Sequence, residues 1–181
     1  LETLLRDLDN RRCNFRRVLL ETTGLADPAP VLHTVMSHPY LLLRYRLDGV
    51  VTVVDAVNGE ATLDAHFEAV KQAAVADRIA LAKTDLTETA QRERILARLR
   101  ALNPAAPILD SAKGEAAPDR LLGSGLYDPD KKIPDVNKWL AAEAHSDADH
   151  HHHHDVNRHD DHIRSFVLTA DDAIPAGTLE M

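Results

Sequence analysis

The chain has 181 residues, a formal net charge of −8 and a single cysteine. The negative charge argues against nonspecific binding to nucleic acid and against binding to an anionic membrane surface, so neither is expected as a partner. The lone cysteine excludes a disulfide scaffold, and no apolar stretch approaches the roughly 20 residues that span a bilayer, so the sequence indicates a cytoplasmic protein.

The first elements of the chain lead to a carboxylate and a glycine in one loop. Residues 1–10 have leucines at helical spacing, and residues 15–20 form an apolar run too short for a helix, which predicts a buried strand. At the end of that strand, Glu21 can hold a hydrated Mg²⁺, and Gly24 lets a backbone N–H approach a γ-phosphate. An acidic helix cap followed by a turn glycine would explain the same spacing, so this pattern alone leaves both interpretations open.

The most strand-like segment follows a short helix. Asp27 and the prolines after it predict a helix start. Residues 47–55 then form a run rich in β-branched residues, which we expect to be a central strand. Asp55 ends this strand, where it could serve a nucleotide site or only cap the next helix. That helix is expected over about 61–75, and Gln72 within it is interpreted as packing against the next strand.

A second candidate binding residue follows the next short strand. Residues 79–82 form a buried apolar run that leads into Lys83, Thr84 and Asp85. The carboxylate of Asp85 can accept hydrogen bonds from N1–H and the exocyclic amine of guanine, while the stem of Lys83 packs across the base. Adenine would leave that carboxylate unpaired, so guanine is preferred.

The remaining elements complete an alternating pattern. Residues 88–102 carry an apolar stripe typical of a helix, and a short strand then leads into Ser111 and Ala112, whose backbone could contact the base from the other side. Strands are therefore predicted at 15–20, 49–54, 78–82 and 106–109, each separated by a helix. This alternation predicts an α/β fold with a parallel sheet flanked by helices.

Three segments together resemble the CobW-type metallochaperone GTPases, which are P-loop proteins akin to the nickel-insertion GTPases of urease and hydrogenase. The segments are ETTGLADPAPV from Glu21, RLDGVVTVVDA from Arg46, and the spacing E-x-x-x-Q-x-x-x-A-D-R-I from Glu68 leading into KTDL. The resemblance covers roughly residues 1–112. It implies a P-loop NTPase-like fold, GTP hydrolysis with Mg²⁺, and a role in binding a transition metal. It assigns catalysis to Glu21 and Gly24, and nucleotide binding to Lys83, Asp85, Ser111 and Ala112.

The chain departs from that family in three places. It contains no G-x-x-x-x-G-K-[ST] loop to cradle phosphates, Cys13 has no partner in a C-x-C-C motif, and Ala82 stands where the guanine motif normally begins with asparagine. We therefore expect a fragment in which residues 1–142 form a GTPase domain with its N-terminal part missing. Hydrolysis of GTP by the fragment itself is not expected.

A tract rich in histidine and aspartate, predicted as a linker over 143–162, follows this domain. It holds eight of the 11 histidines, and such ligands suit Zn²⁺, Co²⁺, Ni²⁺ and Cu²⁺ better than Ca²⁺ or Mg²⁺. A purification tag or an inert linker would explain the same composition. Residues 163–181 are expected to begin a CobW-like C-terminal domain of α+β class, with its first strand at 163–169. The candidate metal ligands are His150, His151, His152, His153, His154, His159 and His162.

Two functions compete. In the first, the intact protein is a GTPase that couples hydrolysis to the delivery of zinc, cobalt or a similar metal to a client metalloprotein. In the second, it is a non-enzymatic metal buffer or adaptor that uses the histidine tract. Ala82 favours the second slightly, because the residue lacks the amide that would brace a guanine-binding loop.

Overall fold

The computed structural model describes residues 1–149. Within that range, no helix combines the length and the apolar character needed to cross a membrane. Short 3₁₀ turns cover Thr84–Leu86 and Pro129–Lys131. The helices and strands are α1 (Glu2–Asp9), α2 (Pro28–Ser37), α3 (Pro39–Leu42), β1 (Val51–Asp55), α4 (Gly59–Ala65), α5 (Phe67–Val75), β2 (Arg78–Ala82), α6 (Thr89–Leu102), β3 (Ile108–Asp110), α7 (Pro118–Leu121) and α8 (Pro134–Asp149).

The three strands form one parallel sheet in the order β1-β2-β3. Helices lie between consecutive strands in the chain, which is the connection that parallel neighbours require. The central strand β2 is buried on both faces, since Ile79, Ala80 and Leu81 are all almost inaccessible. The predicted α/β fold with a parallel sheet flanked by helices is confirmed.

Two predictions about the strands are wrong. Residues 15–20 form no strand, and Leu19 and Leu20 are exposed. Their apolar composition favours burial, but a strand also needs neighbouring backbone to pair with, and β1 pairs only with β2 in the described sheet. The run expected as a central strand, β1, lies instead at an edge of that sheet. Its exposed face carries Val51 and Val53, and Val53 is 70% exposed.

The predicted helices form where their sequence signals place them, but one of them is divided. The side chain of Asp27 caps α2 by accepting a hydrogen bond from the N–H of Ala29 at 2.9 Å. The helix expected over 61–75 is divided into α4 and α5, because His66 between them has an extended backbone. The predicted helix at 88–102 is confirmed as α6, which begins one residue later.

The core lies between the sheet and the helices α4, α5 and α6. Its largest fully buried side chains there include Ile79 and Leu81 from β2 and Ile95 and Leu99 from α6. Full burial of each such side chain stabilises the fold by roughly 1.5–3 kcal/mol. The small residues of α5 let that helix approach the sheet closely, since Ala73 has no exposed surface.

A buried asparagine joins α5 to the segment that precedes β3. Asn103 is 2% exposed, and its side-chain amide donates to the carbonyl oxygens of Ala73, Ala74 and Ala76 at 2.9, 3.1 and 2.8 Å. Its side-chain oxygen accepts a hydrogen bond from the N–H of Ala106 at 3.1 Å. Asn103 therefore satisfies carbonyl groups at the end of α5 that have no partner within the helix.

The predicted linker begins inside α8, which continues to Asp149. The remainder of that linker, the seven candidate histidine ligands and the strand predicted at 163–169 lie outside the described residues. The domain boundaries stay predictions.

Candidate nucleotide-binding site

Two aspartates and a lysine lie together at the end of the sheet where the three parallel strands have their carboxyl ends. Asp55 is the last residue of β1, Asp110 is the last residue of β3, and Lys83 directly follows β2. The register sets Asp55 beside Ala82 and Leu81 beside Asp110. Ligands of open α/β sheets bind at such carboxyl ends, so this end of the sheet is the candidate site.

Lys83 opens the loop of residues 83–85 and pairs with the aspartate that ends β1. Its Nζ lies 2.8 Å from Oδ2 of Asp55. The hydrogen bond from Lys83 outweighs the opposing effect of burial and, with backbone hydrogen bonds from Val57 and Asn58, lowers the pKa of Asp55 to about 2. The carboxylate is therefore ionised at neutral pH and the pair persists. Lys83 adopts φ 60° and ψ 30°, a left-handed conformation that costs a residue with a Cβ roughly 1–2 kcal/mol.

Thr84, the next residue, is held by the aspartate that ends β3. Its hydroxyl donates to Oδ1 of Asp110 at 2.5 Å, and the residue is 4% exposed. Burial raises the pKa of Asp110, but the hydrogen bond from Thr84 and the charge of Lys113 outweigh it and hold this pKa below its ordinary value. The structure thus joins the loops that follow β2 and β3 through one ionised carboxylate.

Asp85 occupies the exposed part of the 83–85 loop. Within residues 1–149 its carboxylate makes no hydrogen bond or ion pair, in contrast to Asp55 and Asp110. Leu86 beside it is 69% exposed and offers an apolar surface. The carboxylate of Asp85 is suited to hydrogen bonds with the donors of a planar base, and the side chain of Leu86 is suited to apolar contact with its face.

The predicted contacts from Ser111 and Ala112 are constrained by bonds within the protein. The N–H of Ser111 donates to the carbonyl oxygen of Leu81 at 2.9 Å, and the N–H of Ala112 donates to Oδ1 of Asp110 at 3.1 Å. A base contact through either N–H would have to replace one of these bonds. The exposed hydroxyl of Ser111 carries no such constraint.

The segment that carries Glu21 and Gly24 is tied to α5. Glu21 is exposed in a loop and does not follow a strand, because residues 15–20 form none. Nε2 of Gln72 donates to the carbonyl oxygens of Gly24 and Ala26 at 3.1 and 2.8 Å. The helix thus holds the backbone beside the glycine. No Cβ contact restricts Gly24, since a side chain there would meet nothing within 4 Å.

Lys71 extends this connection towards α8. Its ammonium group pairs with the carboxylate of Asp27 and lies 5.4 Å from the ring centre of Phe67 and 5.6 Å from that of Trp139. The two rings meet edge to face with centres 5.7 Å apart. The 24–27 loop and α8 therefore share contacts with the same lysine.

No group of three or more histidine, cysteine or carboxylate side chains in the described part of the chain could hold a metal ion. The candidate ligands from His150 to His162 lie beyond that part. The structure therefore leaves the metal ligands as a prediction.

Several residues of this site were not identified from the sequence. Thr84 carries no local signal for its contact with Asp110, which lies 26 positions away. The interpretation of Gln72 as packing against the next strand missed its side-chain hydrogen bonds to carbonyl oxygens 46 and 48 positions away. Asp110 did carry a local sequence signal, since it ends a strand as Asp55 does and directly precedes Ser111.

Comparison with known proteins identifies relatives of this chain. The chain is 40% identical over 112 residues to the zinc chaperone YjiA of Escherichia coli strain K12. It is 29% and 30% identical to the zinc-regulated GTPase metalloprotein activators 1 of Saccharomyces cerevisiae and Schizosaccharomyces pombe. These matches take up 61–63% of this chain and 35%, 30% and 27% of the three relatives, so the chain spans about a third of their length.

Solved structures give the same relationship. A crystal structure of Zn(II)-bound YjiA GTPase from E. coli matches with a TM-score of 0.61 and 33% identity, over 75% of this chain and 45% of that one. A Zn(II)-bound triple mutant of YjiA GTPase matches with a TM-score of 0.62 and 38% identity, over 67% and 37% of the two chains. The model of the CobW/HypB/UreG nucleotide-binding domain matches residues 1–110. The chain therefore belongs to the CobW/HypB/UreG family, as its sequence patterns predict.

Proposed function

We propose that the full-length protein hydrolyses GTP and delivers a transition metal ion to a client metalloprotein. The observation that carries this proposal is the exposed carboxylate of Asp85, which makes no hydrogen bond or ion pair with residues 1–149. It follows Lys83 and Thr84 at the carboxyl end of β2 in a parallel sheet. Family membership and the names of the relatives, a zinc chaperone and zinc-regulated GTPase activators, support it.

Recognition of the base would depend on Asp85. Its two oxygens can accept the N1–H and the exocyclic amine of guanine, whereas adenine has no N1–H to donate. The stem of Lys83 can lie along the base while its ammonium group stays on Asp55, because the side chain is half-exposed. Ser111 and Ala112 would border the base from the side of β3.

Recognition of the phosphates would involve Glu21 and Gly24. Gly24 has no side chain to block a close approach of its N–H, and Gln72 holds the backbone beside it. Glu21 has an exposed carboxylate, which fits contact with a hydrated Mg²⁺ through water. When bound, Mg²⁺ would neutralise charge on the phosphates. The 181-residue sequence holds no G-x-x-x-x-G-K-[ST] loop, so hydrolysis is expected of the full-length protein and not of these residues alone.

The metal would be bound by the histidine tract, which we define as residues 150–162. Imidazole nitrogens suit Zn²⁺ and Co²⁺, and the names of the relatives favour zinc over cobalt. The metal is cargo in this proposal, so its site needs exchangeable ligands and no closed cage.

The first prediction tests the enzyme class with two substitutions in the full-length protein. Glu21→Ala should lower kcat for GTP on the order of 100-fold, because it removes a carboxylate that orients the reacting groups. Asp85→Ala should raise KM for GTP on the order of 100-fold through two lost hydrogen bonds. The surface variant Asp64→Ala serves as the control and should keep both values. Steady-state phosphate release measures them. Turnover unchanged by both substitutions would reject the roles given to Glu21 and Asp85, and a lack of GTP turnover in the unsubstituted protein would reject the GTPase assignment.

A metal buffer without nucleotide turnover is the second candidate function. Ala82 favours it, because this side chain gives the 83–85 loop no hydrogen bond. Isothermal titration of the full-length protein with Zn²⁺ and with GTP separates the two candidates. We expect both ligands to bind, and we expect replacement of the seven candidate histidines by glutamine to remove Zn²⁺ binding at this tract while leaving GTP affinity unchanged. Zinc binding without any GTP binding would select the buffer.

A further inference from the structure

The 83–85 loop adopts a shape that its own sequence does not favour. Lys83 is one of two non-glycine residues with positive φ within residues 1–149, and a lysine has no intrinsic preference for that conformation. Ala82 before it cannot brace the loop through a side-chain hydrogen bond. Contacts from outside the loop must therefore stabilise this shape.

On one side the contact comes from Asp55. Its Oδ2 accepts a hydrogen bond from Nζ of Lys83 at 2.8 Å. The same carboxylate accepts from the N–H of Val57 at 2.7 Å, and from the backbone and side-chain amides of Asn58 at 3.3 and 3.2 Å. These bonds fix the carboxylate on the turn after β1, so it is a rigid anchor for the lysine.

On the other side the contact comes from Asp110. Its Oδ1 accepts from the hydroxyl of Thr84 at 2.5 Å and from the N–H of Ala112 at 3.1 Å, and its side chain is only 12% exposed. Its own N–H donates to Oε2 of Glu115 at 2.9 Å. Asp110 therefore sets the turn after β3 and holds the 83–85 loop with the same oxygen.

We propose that Asp55 and Asp110 are positioning residues for guanine recognition, because together they clamp the 83–85 loop from both neighbouring strands. The clamp fixes Lys83 and Thr84. Asp85 is then the member of the loop whose carboxylate has no bond within residues 1–149 and can pair with a ligand. This inference rests on the proposed function, since it concerns the same site. It adds that guanine specificity depends on two carboxylates that do not touch the base.

The test measures base discrimination in the full-length protein. GTP, ITP and ATP compete for binding against a fluorescent N-methylanthraniloyl GTP. Inosine lacks the exocyclic amine of guanine, so the ratio of the ITP and GTP dissociation constants measures the second hydrogen bond to Asp85. Asp55→Asn, which puts an amide donor in place of an oxygen, and Asp110→Ala, which removes the acceptor of the Thr84 hydroxyl, should each lower this ratio about tenfold. That is the size of one lost hydrogen bond to a charged group, and the ATP dissociation constant should stay unchanged.

Three further variants refine the test. Thr84→Val removes the hydroxyl bonded to Asp110 and should lower the ratio as Asp110→Ala does, whereas Thr84→Ser keeps the hydroxyl and should retain the wild-type ratio. The control Asp64→Asn disrupts a surface ion pair with Arg98, whose two charged groups lie 3.4 Å apart, and should also retain the wild-type ratio. Far-UV circular dichroism checks folding. If Asp110→Ala does not fold, the two Thr84 variants test the same bond.

The outcomes separate this inference from the proposed function. An unchanged ratio in both Asp55→Asn and Asp110→Ala, alongside loss of guanine preference in Asp85→Ala, would overturn the clamp and leave the GTPase standing. Tighter GTP binding by Asp55→Asn would also overturn it, because Asp55 would then be holding Lys83 away from the base. A guanine preference that survives Asp85→Ala would overturn the clamp, because Asp85 would then not recognise the base. Failure of the unsubstituted protein to bind any of the three nucleotides would remove the proposed function.

Discussion

Asp85→Asn should change the base preference of the full-length protein from guanine to xanthine. The carboxylate of Asp85 offers only acceptors, which match the two donors on guanine, whereas an asparagine side chain offers one acceptor and one donor. Xanthine carries a carbonyl oxygen in place of the exocyclic amine, so it pairs with that new donor. Each mismatched hydrogen bond at such a site costs about 1.5–3 kcal/mol, so the ratio of GTP to xanthosine triphosphate affinity should fall on the order of 100-fold.

The measurement is competition between the two nucleotides in the wild type and the variant. Asp55 and Asp110 stay intact in this variant, so the 83–85 loop keeps its shape and only the pairing group changes. Asp64→Asn makes the same chemical change at an exposed position on α4 and should keep the preference for GTP. A variant at position 85 that still prefers GTP would show that this side chain does not pair with the base.

Asn103→Ala should lower the free energy of unfolding by about 3 kcal/mol, because it leaves buried backbone carbonyl groups unsatisfied and opens a small cavity. The two N–H groups of the Asn103 amide are shared among three carbonyl oxygens at the end of α5, and in the variant the N–H of Ala106 also loses its acceptor. Urea unfolding followed by far-UV circular dichroism measures the change. Because α5 also carries Lys71 and Gln72, a looser end of this helix should weaken its hold on the 24–27 loop.

Two further substitutions show whether hydrogen bonding is the cause. Asn103→Asp keeps the size of the side chain but points an acceptor at the same carbonyl oxygens, so it should destabilise at least as much as alanine. Asn137→Ala removes an exposed hydrogen bond to Asp130 at 3.1 Å and should cost less than about 0.5 kcal/mol. A change of similar size at both asparagine positions would contradict the role given to Asn103.

Local patterns in the sequence were sufficient for the elements that depend on neighbouring residues. Spacing of apolar residues identified α6, short apolar runs identified β2 and β3, and the cap of Asp27 identified the start of α2. The parallel sheet followed from their alternation. Lys83 and Asp85 were identifiable as candidates because a short motif right after a strand places them at its carboxyl end.

The tertiary structure decided which segments pair and which side chains meet. The apolar run at 15–20 resembles a strand in composition, yet strand formation also depends on a backbone neighbour, which composition does not encode. The contacts of Asp55 with Lys83 and of Asp110 with Thr84 join residues 28 and 26 positions apart. Periodicity reports only the side of an element that is buried. Strand order and register determine which side chains meet at the carboxyl ends of neighbouring strands, and these exist only once the chain is folded.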